Sequence, residues 1–300
     1  MGLFQRNRPP DRATRGCPVC LTGDIDDGEE SLDQDLLPLL DILASHDVKM
    51  TVPTTSIVLR THGAKIARIL ERGHEVAGHG DVHVAFHDPF EIQVRRLRTM
   101  IKDFESHLGV RPSGFRAPYL EHTPDTYLAL AATGLRYDSS RVSRDPWSYL
   151  KAPFESGFNR RFRGRDLPRI WARHLMGRTD GTPFLVANDV VELPVFEFDD
   201  WFFLDDPEGP RLSAEEAPEI AARWLEALKH FQRHSYRALI LQAHPVRARR
   251  GILEAVDMFL DVARESRCVF MTLSELRNRI QNDFGWSKRH GSIPSWLESS

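Results

Sequence analysis

Short apolar runs and longer amphipathic segments alternate along this 300-residue chain, and few folds accommodate that order. The runs at 19–26, 48–55, 74–79, 113–118, 135–140, 190–196, 238–244 and 268–273 read as strands. Helical patterns lie between them. Residues 31–47 set Leu36, Leu39, Leu40 and Leu43 at a 3–4 spacing that makes one buried stripe. Residues 61–73 end on a glycine suited to a helix C-cap, and residues 88–109 open on Asp-Pro and stop at Gly109. Residues 213–234 begin with a serine and an acidic first turn, as the helix dipole favours. Such alternation predicts an α/β chain whose parallel sheet is covered by helices, either doubly wound or closed as a barrel.

The remaining segments bound the domain. Residues 1–16 are polar, proline-containing and aperiodic, and are expected to form a mobile tail. A single barrel domain is expected over 17–282, with 283–300 as a C-terminal extension. The stretch 144–189, rich in Arg, aromatics, Gly and Pro, reads as a long loop insertion over one end of the barrel, where a substrate lid would sit.

Composition removes several classes of function. The 40 basic and 43 acidic residues nearly balance, which argues against a nucleic-acid partner held by phosphate contacts. No stretch approaches the roughly 18 consecutive apolar residues of a membrane span. The N-terminus carries positive charge but no apolar run behind it, so a cytoplasmic location is expected. Cys17-Pro18-Val19-Cys20 resembles half of a zinc knuckle, but with 3 cysteines in all it has no second pair and is expected to stay reduced.

Polar residues fall where a barrel would collect them. Asp24, Asp26 and Asp27 close the first strand, His79 the third, Arg116 the fourth and His244 the seventh; His83 follows on the turn after His79. In a parallel barrel these strand ends share one face. Two histidines four apart with one carboxylate make a three-ligand cation site that leaves positions open for water and substrate. Taken alone, an H-x₃-H pair is a common coincidence, and Arg116 or His244 could be ordinary structural residues. Their shared placement is what points to chemistry. His87, His122, His230 and His234 have no evident partners and are expected at the surface or in caps.

The segments DIDDGEES (24–31), HGDVH (79–83), FRAPY (115–119) and LILQAHP (239–245), in this order, resemble the motifs of the polysaccharide deacetylase (NodB-homology, carbohydrate esterase 4) superfamily. GLRYDSS (134–140) and VELPVFEFDDWFF (191–203) are similar to a subgroup with intracellular peptidoglycan-deacetylase-like and allantoinase-like members. The resemblance implies a distorted (β/α) barrel and a hydrolase that cleaves an amide C–N bond with a metal-activated water, an Asp base and a His acid. It implies His79 and His83 as metal ligands and Arg116 as the arginine that holds the base. It further implies Tyr119 as the oxyanion N–H, His244 as the acid, and Leu241 as a residue lining an acyl pocket. The first motif admits two registers. Asp24 as base with Asp26 as ligand suits a strand, whose residues two apart share a face; Asp26 as base with Asp27 as ligand is the alternative. The fourth-motif acid and tryptophan have two candidate sites, Asp145-Pro146-Trp147 and Asp199-Asp200-Trp201.

Zn²⁺ is the default metal for a His₂Asp set, and Co²⁺, Ni²⁺ or Fe²⁺ also suit it. The expected partner is a small-molecule or glycan-precursor substrate carrying an acylated amino sugar, with self-association of the chain left open. Two other functions fit the same residues: opening of a cyclic amide or ureide, and a barrel that binds a ligand without turnover.

Overall fold

In a computed structural model, residues 16–26, 32–143, 181–187, 189–196, 217–233, 238–243 and 245–284 are described. Strand β1 (Cys17–Gly23) is second from one end of the main sheet, paired in parallel with β10 (Leu239–Ala243) on one side. On its other side it pairs with β2 (Met50–Thr54) and, at its start, with β11 (Cys268–Phe270). From β2 the sheet runs through β3 (Glu75–Gly78), β4 (Gly114–Phe115), β5 (Tyr137–Asp138) and β8 (Val190–Glu192), all parallel. Strand β7 (Phe184–Ala187) adds an antiparallel edge. A separate parallel pair, β6 (Val142–Ser143) with β9 (Val195–Phe196), brings β9 alongside β10, so the sheet curls toward closure. The result is the expected α/β architecture, a distorted and incompletely closed (β/α) barrel.

Helices α1 (Leu37–Ser45), α2 (Ser56–Glu71), α3 (Phe90–Leu108), α4 (Pro124–Thr133), α5 (Ala217–Gln232), α6 (Pro245–Ala263) and α7 (Leu273–Phe284) accompany the strands. Helices α4, α6 and α7 come in addition to those the periodicity predicts. The α4 signal is local: Thr123 and Thr126 form a capping box, Pro124 opens the helix and Gly134 closes it at φ 78°. Helix α2 begins at Ser56 rather than Thr61. Its Ile57-Val58-Leu59 run looks strand-like, but Val58 and Leu59 are buried, and tertiary packing overrides propensity.

The expected strand at 190–196 is two strands. Pro194, which lacks an N–H for a ladder, follows Leu193 at the break, and the chain then leaves the main sheet to pair with β6. The expected insertion ends in the regular strand β7; residues 144–180 and 188 lie outside the described residues, as do Asp145, Trp147, Asp199, Asp200 and Trp201.

Alternation along the strands makes two cores. Val19, Leu21, Val52, Val76, Leu239 and Leu241 face the helices, against Phe104, Trp224 and Phe259. Cys20, Ala77, Tyr137 and Ile240 face inward, where Leu273, Leu276 and Ile280 of α7 fill the barrel floor. Glu75 fixes that plug: it accepts from Thr51 Oγ1 at 2.8 Å, Tyr137 OH at 2.9 Å and the Ser274 N–H at 3.0 Å. With its floor packed, the barrel leaves the opposite rim, at the strands' C-terminal ends, for chemistry.

One histidine couples this fold to pH. His74 Nδ1 accepts the Met50 N–H at 3.1 Å, a bond that needs the neutral ring. Burial, with Lys49 and Arg72 nearby, pulls its pKa down to about 4. An unfolded chain takes up this proton near pH 6.5, whereas the native chain resists until about pH 4. The contribution is therefore complete above pH 6.5 and is lost as pH falls toward 4. Urea midpoints at pH 7 and pH 5 should fall further for the wild type than for His74→Asn, whose Oδ1 accepts the same N–H without titrating. Equal falls would refute the assignment.

Candidate active site

Along the rim, β1 delivers Asp24 and Asp26 to one side while Ile25 between them is fully buried and bridges to Thr54. The alternation of the strand thus persists past Gly23, and both carboxylates are almost completely buried. They have different company. Asp24 Oδ1 accepts from Arg116 Nη1 at 2.6 Å, and its Oδ2 accepts from Gln242 Nε2 at 2.8 Å. Asp26 Oδ1 lies 3.4 Å from His79 Nε2 and 3.4 Å from His83 Nε2.

Arg116 leaves β4 with its guanidinium wholly buried. Besides Asp24 it donates to Thr22 Oγ1 at 2.8 Å, the Ser139 carbonyl at 2.9 Å and Ser139 Oγ at 3.1 Å. Ser139 in turn donates to the Leu193 carbonyl at 2.8 Å, which ties β5 to the chain leaving β8. A cation so enclosed is fixed in direction, and so is the carboxylate it holds.

His79 follows β3. Its Nδ1 lies 2.8 Å from the Arg116 carbonyl, so Nδ1 carries the proton and Nε2 presents a lone pair toward Asp26. Gly80 allows the turn after it: φ is 94°, and a Cβ there would stand 2.9 Å from the Val82 carbonyl oxygen. His83 comes back on the loop so formed. One donor atom from each of Asp26, His79 and His83 lies within 4.8 Å of the others. Ligands about 2.0–2.1 Å from one tetrahedral ion stand roughly 3.3 Å apart. The 3.4 Å separations of Asp26 from both histidines therefore fit a shared divalent cation, and so does the donor chemistry.

Tyr119 sits in a short 3₁₀ turn, Pro118–Leu120, at φ 58°, and Leu120 follows at φ 56°. Left-handed backbone at two non-glycine residues costs about 1–3 kcal/mol each and marks a turn that its surroundings enforce. Ser140 Oγ accepts the Ala117 N–H at 2.8 Å and donates to Asp138 at 2.7 Å. His122 Nδ1 lies 3.2 Å from the Leu120 carbonyl, and its Nε2 lies 2.9 Å from Tyr127 OH. Tyr127 then donates to Glu192 at 3.1 Å. Burial, and next to it the neighbouring Asp138 carboxylate, pushes the Glu192 carboxyl well above its usual range. The strained turn thus rests on a buried polar network, which sets the Tyr119 ring 4.3 Å from that of His83 at the open side of the site.

Some expected placements differ. Leu241 faces the helices in the outer core, because the alternation of β10 turns its neighbour Gln242 toward Asp24 instead. The pocket wall next to Asp24 is an amide. His122, expected at the surface or in a cap, belongs to the network under the turn. His87 is exposed as expected and pairs with Glu121 at 3.1 Å. Asp27, His234 and His244 lie outside the described residues, although β10 ends immediately before His244. Gln242, Ser139 and Ser140 carry no spacing signal in the sequence beyond the YDSS tetrapeptide (137–140) that holds the two serines.

Residues 13–137 match the family model described as polysaccharide deacetylase, in line with the motif resemblance. No curated protein matches the sequence closely enough to count as a relative. Solved structures share the fold. A candidate polysaccharide deacetylase from Mycobacterium smegmatis superposes with TM-score 0.69 at 23% identity, covering 95% of this chain and 96% of that one. PuuE allantoinase gives 0.66 at 12% identity, covering 94% and 96%. A family 4 acetyl xylan esterase from Clostridium thermocellum, solved with a cobalt ion, gives 0.53 at 16% identity, covering 87% and 91%. Likeness at these identities speaks to the fold and leaves the chemistry to the residues.

Proposed function

We propose that this chain, which resembles the polysaccharide deacetylases over residues 13–137 and adopts their barrel, is a divalent-metal-dependent hydrolase of a non-peptide C–N bond. One observation carries the reading: two buried carboxylates two residues apart face different partners. Asp26 faces a pair of imidazoles, and Asp24 faces a guanidinium and an amide.

Asp26, His79 and His83 would hold the ion, Zn²⁺ by default, with Co²⁺, Ni²⁺ or Fe²⁺ also suited to the donor set. When bound, the ion supplies Lewis acidity toward a carbonyl oxygen and toward water. Asp24, held in direction by Arg116 and Gln242, takes a proton from the attacking water at its carboxylate. The Tyr119 N–H, presented by the strained turn, donates to the oxygen on which negative charge develops. His244 gives a proton to the leaving nitrogen as the C–N bond breaks.

The substrate read from the motifs is an acylated amino sugar. Among the described residues, no helix is long and apolar enough to cross a membrane. The buried Gln242 Oε1 has no hydrogen-bond partner among the described residues and suits an N–H of an N-acyl group or of a ureide alike, so opening of a cyclic amide or ureide stands as a second reading.

Metal content after reconstitution tests the central claim. The wild type should retain about one equivalent of divalent metal, whereas His83→Ala, left with Asp26 and His79, should bind it far more weakly and lose most of it once excess metal is removed. A wild type without metal would remove the reading and bring forward a barrel that binds without turnover. Turnover of N-acetylated amino sugars against cyclic ureides then separates the two substrate classes.

A further inference from the structure

The loop from Asp81 to Asp88, which carries His83, has no regular secondary structure, and its polar groups must be satisfied from elsewhere. One side chain of α3 does much of this. Arg96 donates from Nε to Asp81 Oδ1 at 2.9 Å and from Nη1 to Asp88 Oδ2 at 2.8 Å. It also donates from Nη1 to the Ala85 carbonyl at 3.0 Å and from Nη2 to the Val84 carbonyl at 2.9 Å. Its guanidinium carbon stands 4.1 Å over the ring of Phe86, which is fully buried against Phe115 of β4. The guanidinium therefore grips the loop on both sides of His83, through Asp81 before it and Val84 to Asp88 after it.

We infer that Arg96 is a positioning residue for metal binding, holding His83 Nε2 in register with Asp26 and His79. The inference rests on the metal reading above. His83, partly exposed, is carried by the loop that Arg96 holds on both sides of it. A planar fork with several N–H donors in fixed directions suits this task, and a lysine ammonium does not reproduce it. Arg96 acts through the loop and touches no reacting atom.

Equilibrium Co²⁺ binding to the purified full chain tests this, using wild type, Arg96→Gln, Arg96→Lys and His83→Ala, with each Arg96 variant also made in the His83→Ala background. Either Arg96 substitution should weaken Co²⁺ affinity about 10–100-fold, the usual effect of removing a group that orients a metal ligand. The same substitution should change the residual affinity of His83→Ala little, because the ligand it positions is gone. A merely structural role would lower affinity by the same factor in both backgrounds, and that result overturns the inference. So does unchanged affinity in Arg96→Lys, the variant that keeps the charge and serves if Arg96→Gln fails to fold. A wild type that takes up no Co²⁺ overturns the metal reading itself and this inference with it, so the two failures are distinguishable.

Discussion

Arg116→Met is expected to destabilise the protein by about 3–5 kcal/mol, the usual penalty for leaving a buried charge without its counter-ion. Both members of the pair are nearly or wholly inaccessible, and their contact is 2.6 Å. Methionine fills much of the volume but leaves the Asp24 carboxylate with the Gln242 amide and no cation. It also leaves Thr22 Oγ1 and the Ser139 carbonyl without the donor they now have. Since the deficit arises mainly from the stranded carboxylate, adding Asp24→Asn should return a large part of it. Urea unfolding of wild type, both single variants and the double variant gives the coupling directly. If the double variant is no more stable than Arg116→Met alone, the ion pair is not what Arg116 contributes, and its remaining hydrogen bonds are. The His79 anchor should survive throughout, because it is the Arg116 backbone carbonyl and not its side chain.

This arrangement was partly legible in the sequence, for physical reasons. A strand period of two puts Asp24 and Asp26 on one face, and the structure finds them facing one space. A parallel sheet brings the ends of β1, β3 and β4 to one rim, which is why residues distant in sequence could be grouped at all. What periodicity could not give were contacts without a local pattern. Gln242 is an amide in an apolar run, and only the phase of β10 decides whether it or Leu241 faces Asp24. Arg96 lies in an ordinary amphipathic helix, and its task appears only when the loop after β3 folds against it. His122 looked like a loop residue because its partner Tyr127 belongs to a helix the periodicity did not mark. At Pro194 the opposite holds: the missing N–H is a local signal, and it explains why one apolar run became two strands.

Exchanging each rim carboxylate for its amide should separate their tasks, with the largest effects on activity of any substitution. Asp24→Asn keeps an oxygen to accept from Arg116 Nη1, so the site should retain its metal. The amide cannot take a proton from water, and turnover should fall about 10²–10⁴-fold, the share usually supplied by a general base. Asp26→Asn should instead lose the metal, since it replaces the anionic donor that, among the described residues, faces His79 and His83 with a neutral, weakly coordinating oxygen. Its activity should then return partly when divalent metal is supplied in excess, whereas that of Asp24→Asn should not. Metal content and turnover measured on the same samples distinguish these cases. Loss of metal in Asp24→Asn, or its retention in Asp26→Asn, would reverse the assignment. Asp27→Asn completes the comparison: if it strips the metal while Asp26→Asn keeps it and loses turnover, Asp26 is the base and Asp27 the ligand. Asp26 would then have to serve as the base, and its 3.4 Å approaches to both imidazoles would have to serve something other than ion binding.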